Sequence, residues 1–345
     1  MAELQAGAAG GSLPTVRRRL GVVGTLVWDT IVRRDGRGVP VQEWGGIGYA
    51  LEALPVTLPQ EWEVVPLLKL GRDLSEQGYR FLREIPRVAP ERGVRVVPEP
   101  NHRVDLLYEG QVRKAERISG GVPPWSWTEL APLVEGCDAL YLNFISGLEL
   151  DLATAQALRV GFRGPIYADL HSLFLAIGQE GDRIPRPLPH WREWLRSFDV
   201  VQMNESEFGS LGGAGADPWQ IAAEAVGAEL KLIAVTLGER GAAYVAAPGF
   251  EPDPSSWPST RGRLGVVGPT RSARVAAAGV VLDGDPTGCG DVWGATFFAR
   301  LLAGDPLELA MATANRMAAR NAAHRGARGL GIHLRGGVAV GSGMR

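Results

Sequence analysis

Cysteine is scarce: Cys137 and Cys289 are the only two in 345 residues. They lie far apart and in no C-x-x-C pair, so neither a zinc site nor a disulfide framework is indicated, and a reducing, cytoplasmic setting is expected. Lysine is nearly absent too, with Lys69, Lys114 and Lys231 alone. None of the three follows a glycine, so no Gly-x-x-x-x-Gly-Lys loop exists and a Walker-type NTPase is excluded. The other basic side chains are arginines, a bias read as genomic composition. Formal net charge is −2 and no basic cluster forms a face, which removes the electrostatic footprint of a nucleic-acid binder. No apolar run approaches the roughly 18 to 20 residues that a membrane helix needs. Arg17, Arg18 and Arg19 before Leu20–Trp28 imitate a signal peptide, but Asp29 ends the run and no small-residue cleavage site follows.

With 45% hydrophobic and 21% charged residues, the chain has the balance of a globular protein able to bury a large core. Short runs rich in Val, Ile and Leu alternate with longer helix-like segments, the pattern of βαβ units around a mostly parallel sheet. Strands are expected at Gly21–Thr25, with Leu20–Val27 as the first buried run, and at Val64–Leu70, Ala139–Asn143, Pro165–Asp169, Val200–Met203 and Leu232–Leu237. Several end on polar residues: Asn143, Asp169, Asn204 and Thr236. Ligands of open α/β sheets bind beyond the carboxyl ends of the strands, which marks Asn143 and Asp169 as candidate substrate contacts. The plain alternative is that any strand-to-loop transition is polar. Gly21–Asp29 lacks a Gly-x-Gly-x-x-Gly turn, so a dinucleotide-binding oxidoreductase ranks low.

Two segments break the alternation, at about 30–44 and 94–118. Each carries alternating residues and a turn signal, Asp35-Gly36 and Glu109-Gly110, and reads as part of a small β-layer, either a lid or a solvent-exposed hairpin. Residues 1–16 and 331–345 lack periodicity and are expected to be mobile ends around a domain spanning 17–330. Pro248–Thr270 is dense in Pro, Gly and Ser and reads as an irregular surface insertion.

The sharpest signal is Asp285-Pro286-Thr287-Gly288-Cys289-Gly290-Asp291, followed at once by a helix-forming run from Val292. Small residues at 288–290 let backbone approach a ligand, and the first N–H groups of a helix have no internal partner, which makes an anion site. A carboxylate there repels a passively held phosphate, but it suits a base that takes a proton from an attacking hydroxyl. Without context, Asp291 could equally be a helix cap. The heptapeptide resembles the second signature of the ribokinase (PfkB) family, Asp-Thr-x-Gly-Ala-Gly-Asp, with Pro286 for Thr and Cys289 for Ala. The resemblance implies Asp291 as catalytic base and Gly288, Cys289 and Gly290 as an anion hole; Cys289 as a nucleophile lacks a His partner.

Other elements of that family pattern follow in order. Asn204-Glu205-Ser206-Glu207 resembles the Asn-x-x-Glu element that supports Mg2+ and its waters, and read alone it is also an Asn variant of a capping box. Thr236-Leu237-Gly238-Glu239-Arg240-Gly241 resembles the Thr-x-Gly-x-x-Gly nucleotide loop, implicating Thr236, Gly238 and Gly241 in ATP binding. Asp305-Pro306 reads as the start of a last long helix ending at Gly326, on which the resemblance puts Asn315 near adenine. Asp29 with Gly45-Gly46 resembles the substrate Asp and Gly-Gly element, a carboxylate for paired hydroxyls beside backbone that admits a ring. Ile47 and Ala50 stand where the family often has Lys and Asn, which argues against a phosphorylated acceptor and against ribose. His171 either contacts substrate or caps its loop.

The resemblance implies a three-layer α/β/α ribokinase-like fold with a mostly parallel central sheet and a small β-sheet lid, which in the family often forms a homodimer interface. It implies an ATP- and Mg2+-dependent kinase acting on a hydroxyl of a small sugar-like substrate. The alternatives are a nucleoside kinase of the same fold and a non-catalytic sugar- or nucleotide-binding regulator.

Overall fold

The computed structural model describes residues 17–33, 40–109, 112–263, 267–277 and 284–336. Its core is an eight-stranded sheet in the order Arg271–Val275, Ala242–Ala246, Leu232–Thr236, Val200–Asn204, Ile166–Asp169, Ala139–Asn143, Arg18–Val23 and Trp62–Leu67. The last six run parallel, and the first two are antiparallel additions at one edge. Both faces of the parallel strands are buried, which is why they read as continuous apolar runs. Alternate residues divide between two cores. Leu20, Val22, Val64, Tyr141, Tyr167 and Leu232 pack under helices Ile47–Thr57, Cys289–Leu302 and Leu307–Asn321. Val23, Leu140, Leu142, Ala168, Val201 and Ile233 pack under helices Trp127–Val134, Leu152–Gly161, Trp191–Arg196 and Pro218–Ala225. The result is the expected three-layer α/β/α arrangement.

A second, four-stranded sheet has the order Val41–Gly46, Leu26–Arg33, Arg103–Glu109 and Val112–Ser119. The run expected as one strand from Leu20 to Val27 is therefore cut: the chain leaves the central sheet after Val23 and enters the small sheet at Leu26. Apolar character continues across the break because both sheets bury it. This layer matches the two segments expected at 30–44 and 94–118, with earlier and later limits. Arg95–Val97 pairs instead with Lys69–Gly71. The Asp35-Gly36 turn signal and Gly110 lie outside the described residues, as do 1–16 and 337–345.

Further expectations need adjustment. The antiparallel strands Ala242–Ala246 and Arg271–Val275 escaped sequence reading because one is alanine-rich and the other is an exposed, arginine-bearing edge. Within the irregular 248–270 insertion, Trp257 is fully buried against Phe250 and Phe298, so the segment is anchored in the core. The last long helix runs over Leu307–Asn321, short of Gly326, and its start is not capped by Asp305, whose carboxylate takes a two-point contact from Arg300 at 2.8 Å. Beyond it, Leu330–Leu334 is helical rather than part of a mobile end, with the buried Glu52 carboxylate accepting from the N–H groups of Gly329 and Gly331.

Candidate active site

The Gly288 turn is dictated by backbone geometry. Gly288 caps the helix Cys289–Leu302 with φ +76°, in the left-handed region, and a Cβ there would stand 2.3 Å from the Tyr49 ring. Only glycine satisfies both constraints. The turn is pinned from behind: Asp285 N donates to Ala322 O at 2.8 Å, Thr287 N to Asp285 Oδ1 at 3.0 Å, and Asn321 Nδ2 to Thr287 O at 2.8 Å. The Cys289 thiol faces the neighbouring helix, 3.3 Å from Ala318 O and from Asn321 Nδ2. Burial pushes that thiol up to about 11, so it is held as the neutral thiol despite its place at a helix start. The turn thus presents backbone N–H groups rather than a nucleophile.

Asp291, in the first helical turn, sits over the carboxyl edge of the central sheet. Its Oδ1 accepts from Asn143 Nδ2 at 2.8 Å, and Tyr141 OH lies 3.5 Å from its carbonyl. Parallel register explains the neighbours. Asn143, Asp169 and Gln202 are paired across three adjacent strands, so their side chains form one polar row on one face. Gln202 Nε2 donates to Asp169 Oδ2 at 3.0 Å and to Gly290 O at 3.1 Å, tying the row to the turn. Tyr167 OH donates in turn to Gln202 Oε1 at 2.5 Å. Asp169 is buried, and desolvation, with Glu207 and Asp291 nearby, holds its carboxyl well above the usual range.

At the end of the strand that carries Gln202, Asn204 and Glu207 form a complete capping box: Glu207 N donates to Asn204 Oδ1 at 3.0 Å, and Asn204 N to Glu207 Oε2 at 2.8 Å. Glu207 Oε1 also takes Asn204 Nδ2 at 2.5 Å and His171 Nδ1 at 2.7 Å. The His171 ring opposes desolvation with three nearby carboxylates, Glu207, Asp169 and Asp291, and its pKa is raised to about 9. Thr236 ends the adjacent strand, a tight turn spans Gly238–Arg240, and Gly241 follows at φ +91°.

A cavity of about 750 Å3 joins these parts. Its walls include Gly288–Asp291, Asp169, His171, Asn204, Glu207, Thr236, Gly238 and Gly241. At the far end lie Asp29, Gly46 and the lid residues Val104, Leu106 and Glu116. Asp29 occupies the middle of a lid strand, not the end of the first strand, and Gly45 makes room for it: a Cβ on Gly45 would fall 1.7 Å from Asp29 Oδ2. Gly45 and Asn143 stand behind the wall, the first yielding space to Asp29 and the second holding Asp291. Asn315 lines the cavity, but its amide is engaged by Trp293 Nε1 at 2.8 Å and donates to the carbonyls of Val275 and Ala276. What it offers a ligand is therefore a rigid surface.

Sequence reading missed Gln202 and Tyr141, although a signal was present. Each lies two residues before a polar strand end, at Asn204 and Asn143, inside an otherwise apolar run, and so on the same face. Glu116 carried no such signal.

The donor set at Asn204 and Glu207 suits Mg2+ through water. Three hydrogen bonds already fall on the Glu207 carboxylate, which leaves room for a bound water rather than for a chelating cage. Among the described residues, no cluster of three or more His, Cys, Asp or Glu side chains could enclose a metal alone.

Comparison with known proteins finds a family match over part of the chain and a shared fold over most of it. Residues 182–332 match the family described as pfkB family carbohydrate kinase. No curated protein matches the chain. Solved structures share the fold at low identity. A nucleoside kinase from Burkholderia thailandensis in complex with inosine is 16% identical, with TM-score 0.64 over 90% of this chain and 92% of its own. A pyrophosphate-dependent kinase of the ribokinase family, complexed with a pyrophosphate analog and myo-inositol, is 18% identical, with TM-score 0.66 over 92% and 99%. An Arabidopsis thaliana ribokinase complexed with ribose and ATP is 16% identical, with TM-score 0.61 over 92% and 99%.

Proposed function

From the premise that residues 182–332 are a pfkB family carbohydrate kinase domain on a ribokinase-like fold, we propose that this protein transfers the γ-phosphoryl group of ATP to a hydroxyl of a small sugar-like acceptor, with Asp291 as base. The observation that carries the reading is that Asp291 and the Gly288–Gly290 turn line one cavity together with the lid residues Asp29, Val104 and Leu106 and with Thr236, Gly238 and Gly241. A hydroxyl held near Asp29 would meet the Asp291 carboxylate and the anion hole together, which is the arrangement an in-line displacement requires.

Each residue then has a chemical task. Asn143 holds Asp291 by its Oδ1, leaving the carboxylate aimed at the acceptor hydroxyl, whose proton it removes as the oxygen attacks phosphorus. The N–H groups at the helix start take the charge that builds on the transferring oxygens. Asn204 and Glu207 would hold Mg2+ through water, and the ion would neutralise phosphate charge. Thr236, Gly238 and Gly241 lie along the path of the donor phosphates, and Asn315 with the alanines at 318, 319 and 322 provides a flat surface for the base. Lid strands over the acceptor exclude water and suppress hydrolysis of the donor.

The test is ADP release from Mg-ATP across free sugars, polyols and nucleosides, with pyrophosphate as a second donor and Asp291→Asn beside the native protein. Acceptor-dependent transfer is expected to fall at least about 10³-fold in the variant, roughly 4 kcal/mol of barrier, with ATP binding kept. Near-normal turnover by Asp291→Asn would sink the mechanism.

A further inference from the structure

A glycine inside a helix is unfavourable, yet Gly294 sits buried in the second turn of Cys289–Leu302. Close contact explains it. A Cβ there would stand 2.2 Å from Gln202 Oε1 and 3.0 Å from Tyr141 OH, so the helix gives up a side chain to let the Gln202 amide lie against it. Gln202 is itself buried in an otherwise apolar strand, where an unpaired amide is costly. Both ends of that amide are engaged. Oε1 takes Tyr167 OH at 2.5 Å, and Nε2 donates to Asp169 Oδ2 at 3.0 Å and to Gly290 O at 3.1 Å. These partners also fix which way the amide faces, because a flipped Gln202 would set its oxygen against two acceptors.

The contact with Gly290 O falls where the turn has least to hold it. Cys289 N donates to Pro286 O at 3.1 Å and Val292 N to Gly288 O at 2.9 Å, whereas Gly290 N has no hydrogen-bond partner among the described residues. A Cβ on Gly290 would meet only Gln202 Nε2, at 3.9 Å, so the fold does not itself require glycine there. A glycine has no side chain to anchor its backbone, and an anion hole works only when its dipoles are fixed before charge develops. Gln202 supplies that anchor from the sheet. Because a peptide unit is planar, holding Gly290 O also fixes the plane that carries the Asp291 N–H and leads into the base.

We infer that Gln202 is the positioning residue of the anion hole, and that residue 294 is glycine to admit it. The inference rests on the kinase reading. Gln202 acts on turnover through the Gly290 peptide and is not required for donor binding.

The experiment compares the native protein with Gln202→Met, with Gln202→Glu, and with Gly294→Ala in the native and Gln202→Ala backgrounds. Calorimetric titration with Mg-ATP counts the folded sites, and turnover is expressed per site, so that partial unfolding does not pass for an effect. Gln202→Met keeps the volume and loses the donors: kcat per site is expected to fall at least about tenfold, with KM for both substrates within about threefold of native. Gln202→Glu, which sets an oxygen against Gly290 O, should fall further, an order that packing alone does not produce. Gly294→Ala should lose turnover in the native background and nothing more once residue 202 is alanine. Hydrogen exchange over 287–293 should quicken about tenfold in Gln202→Met while 296–302 stays as in the native protein. Should one variant fail to fold, the others carry the same comparison. Turnover per site within about threefold of native in Gln202→Met overturns the inference and leaves the kinase reading intact. Absence of transfer by the native protein from any donor removes the kinase reading instead, and exchange then decides: unchanged protection of 287–293 means that Gln202 does not hold the turn.

Discussion

The two ends of the central sheet treat buried charge in opposite ways. At the amino end, Asp199 is fully buried and completely answered: Arg159 Nη1 at 2.6 Å, Arg261 through Nε at 3.0 Å and Nη2 at 2.5 Å, and the N–H of Ile166 at 2.8 Å. Arg261 belongs to the irregular insertion, so this cluster also fastens that segment to the core. At the carboxyl end, Asp169, Glu207 and Asp291 gather near one another, with His171 the one cationic side chain among the described cavity residues. Acids crowded in a cavity cost stability, and their retention is expected where they do chemistry. One end of the sheet pairs its buried charge completely, and the other gathers the acids on which the proposed reaction depends.

That contrast can be broken by substitution. Asp199→Ala leaves two arginines buried without their carboxylate and should cost about 3–5 kcal/mol in urea unfolding, with no direct effect on the cavity. A loss under 1 kcal/mol would mean the cluster is not structural. Asp169→Asn should act the other way. Its folded pKa is raised, so the native carboxyl contributes stability below its unfolded pKa near 4 and loses it as pH rises through the folded value. The variant should therefore match the native protein below about pH 4 and gain about 1 kcal/mol or more by pH 8, while transfer falls. Thermal unfolding across that range checks the sign, and a variant less stable at pH 8 would contradict it.

The smallest effect sharpens the contrast at a surface site. Glu129 completes a capping box with Ser126 and meets Lys69 Nζ at 2.9 Å; its pKa is lowered to about 2, chiefly by the Ser126 N–H and Lys69. A depressed carboxyl stabilises above its unfolded pKa and loses that contribution as pH falls through the folded one. Half-exposure screens the pair, so Glu129→Gln should cost about 1 kcal/mol at pH 7, and the difference should close between about pH 4.5 and 2.

Much of the central sheet was legible in the chain. Parallel strands buried on both faces must be apolar throughout, so Ala139–Asn143 appears in the sequence with the limits it has in the fold, and Val200–Asn204 within one residue. The Gly288–Asp291 turn was legible for a different reason: a left-handed backbone pressed against Tyr49 admits only glycine. Such backbone demands leave a mark at each position. The lid was visible as a break in the alternation but not as a sheet with a working face, because an aliphatic lid strand looks like any other strand. The break after Val23 was hidden because burial continued across it.

What the chain determined by itself, then, were the elements whose requirement is local: period-two burial, a glycine where φ is positive, an Asn–Glu pair three residues apart that caps a helix. Tertiary structure alone decided which polar strand ends share a row, that Asn143 holds Asp291, that Asn315 is engaged by Trp293, and that Glu116 and Asp29 share one face of the small sheet. These depend on register between segments distant along the chain, and register is settled by packing rather than by any residue's own preference.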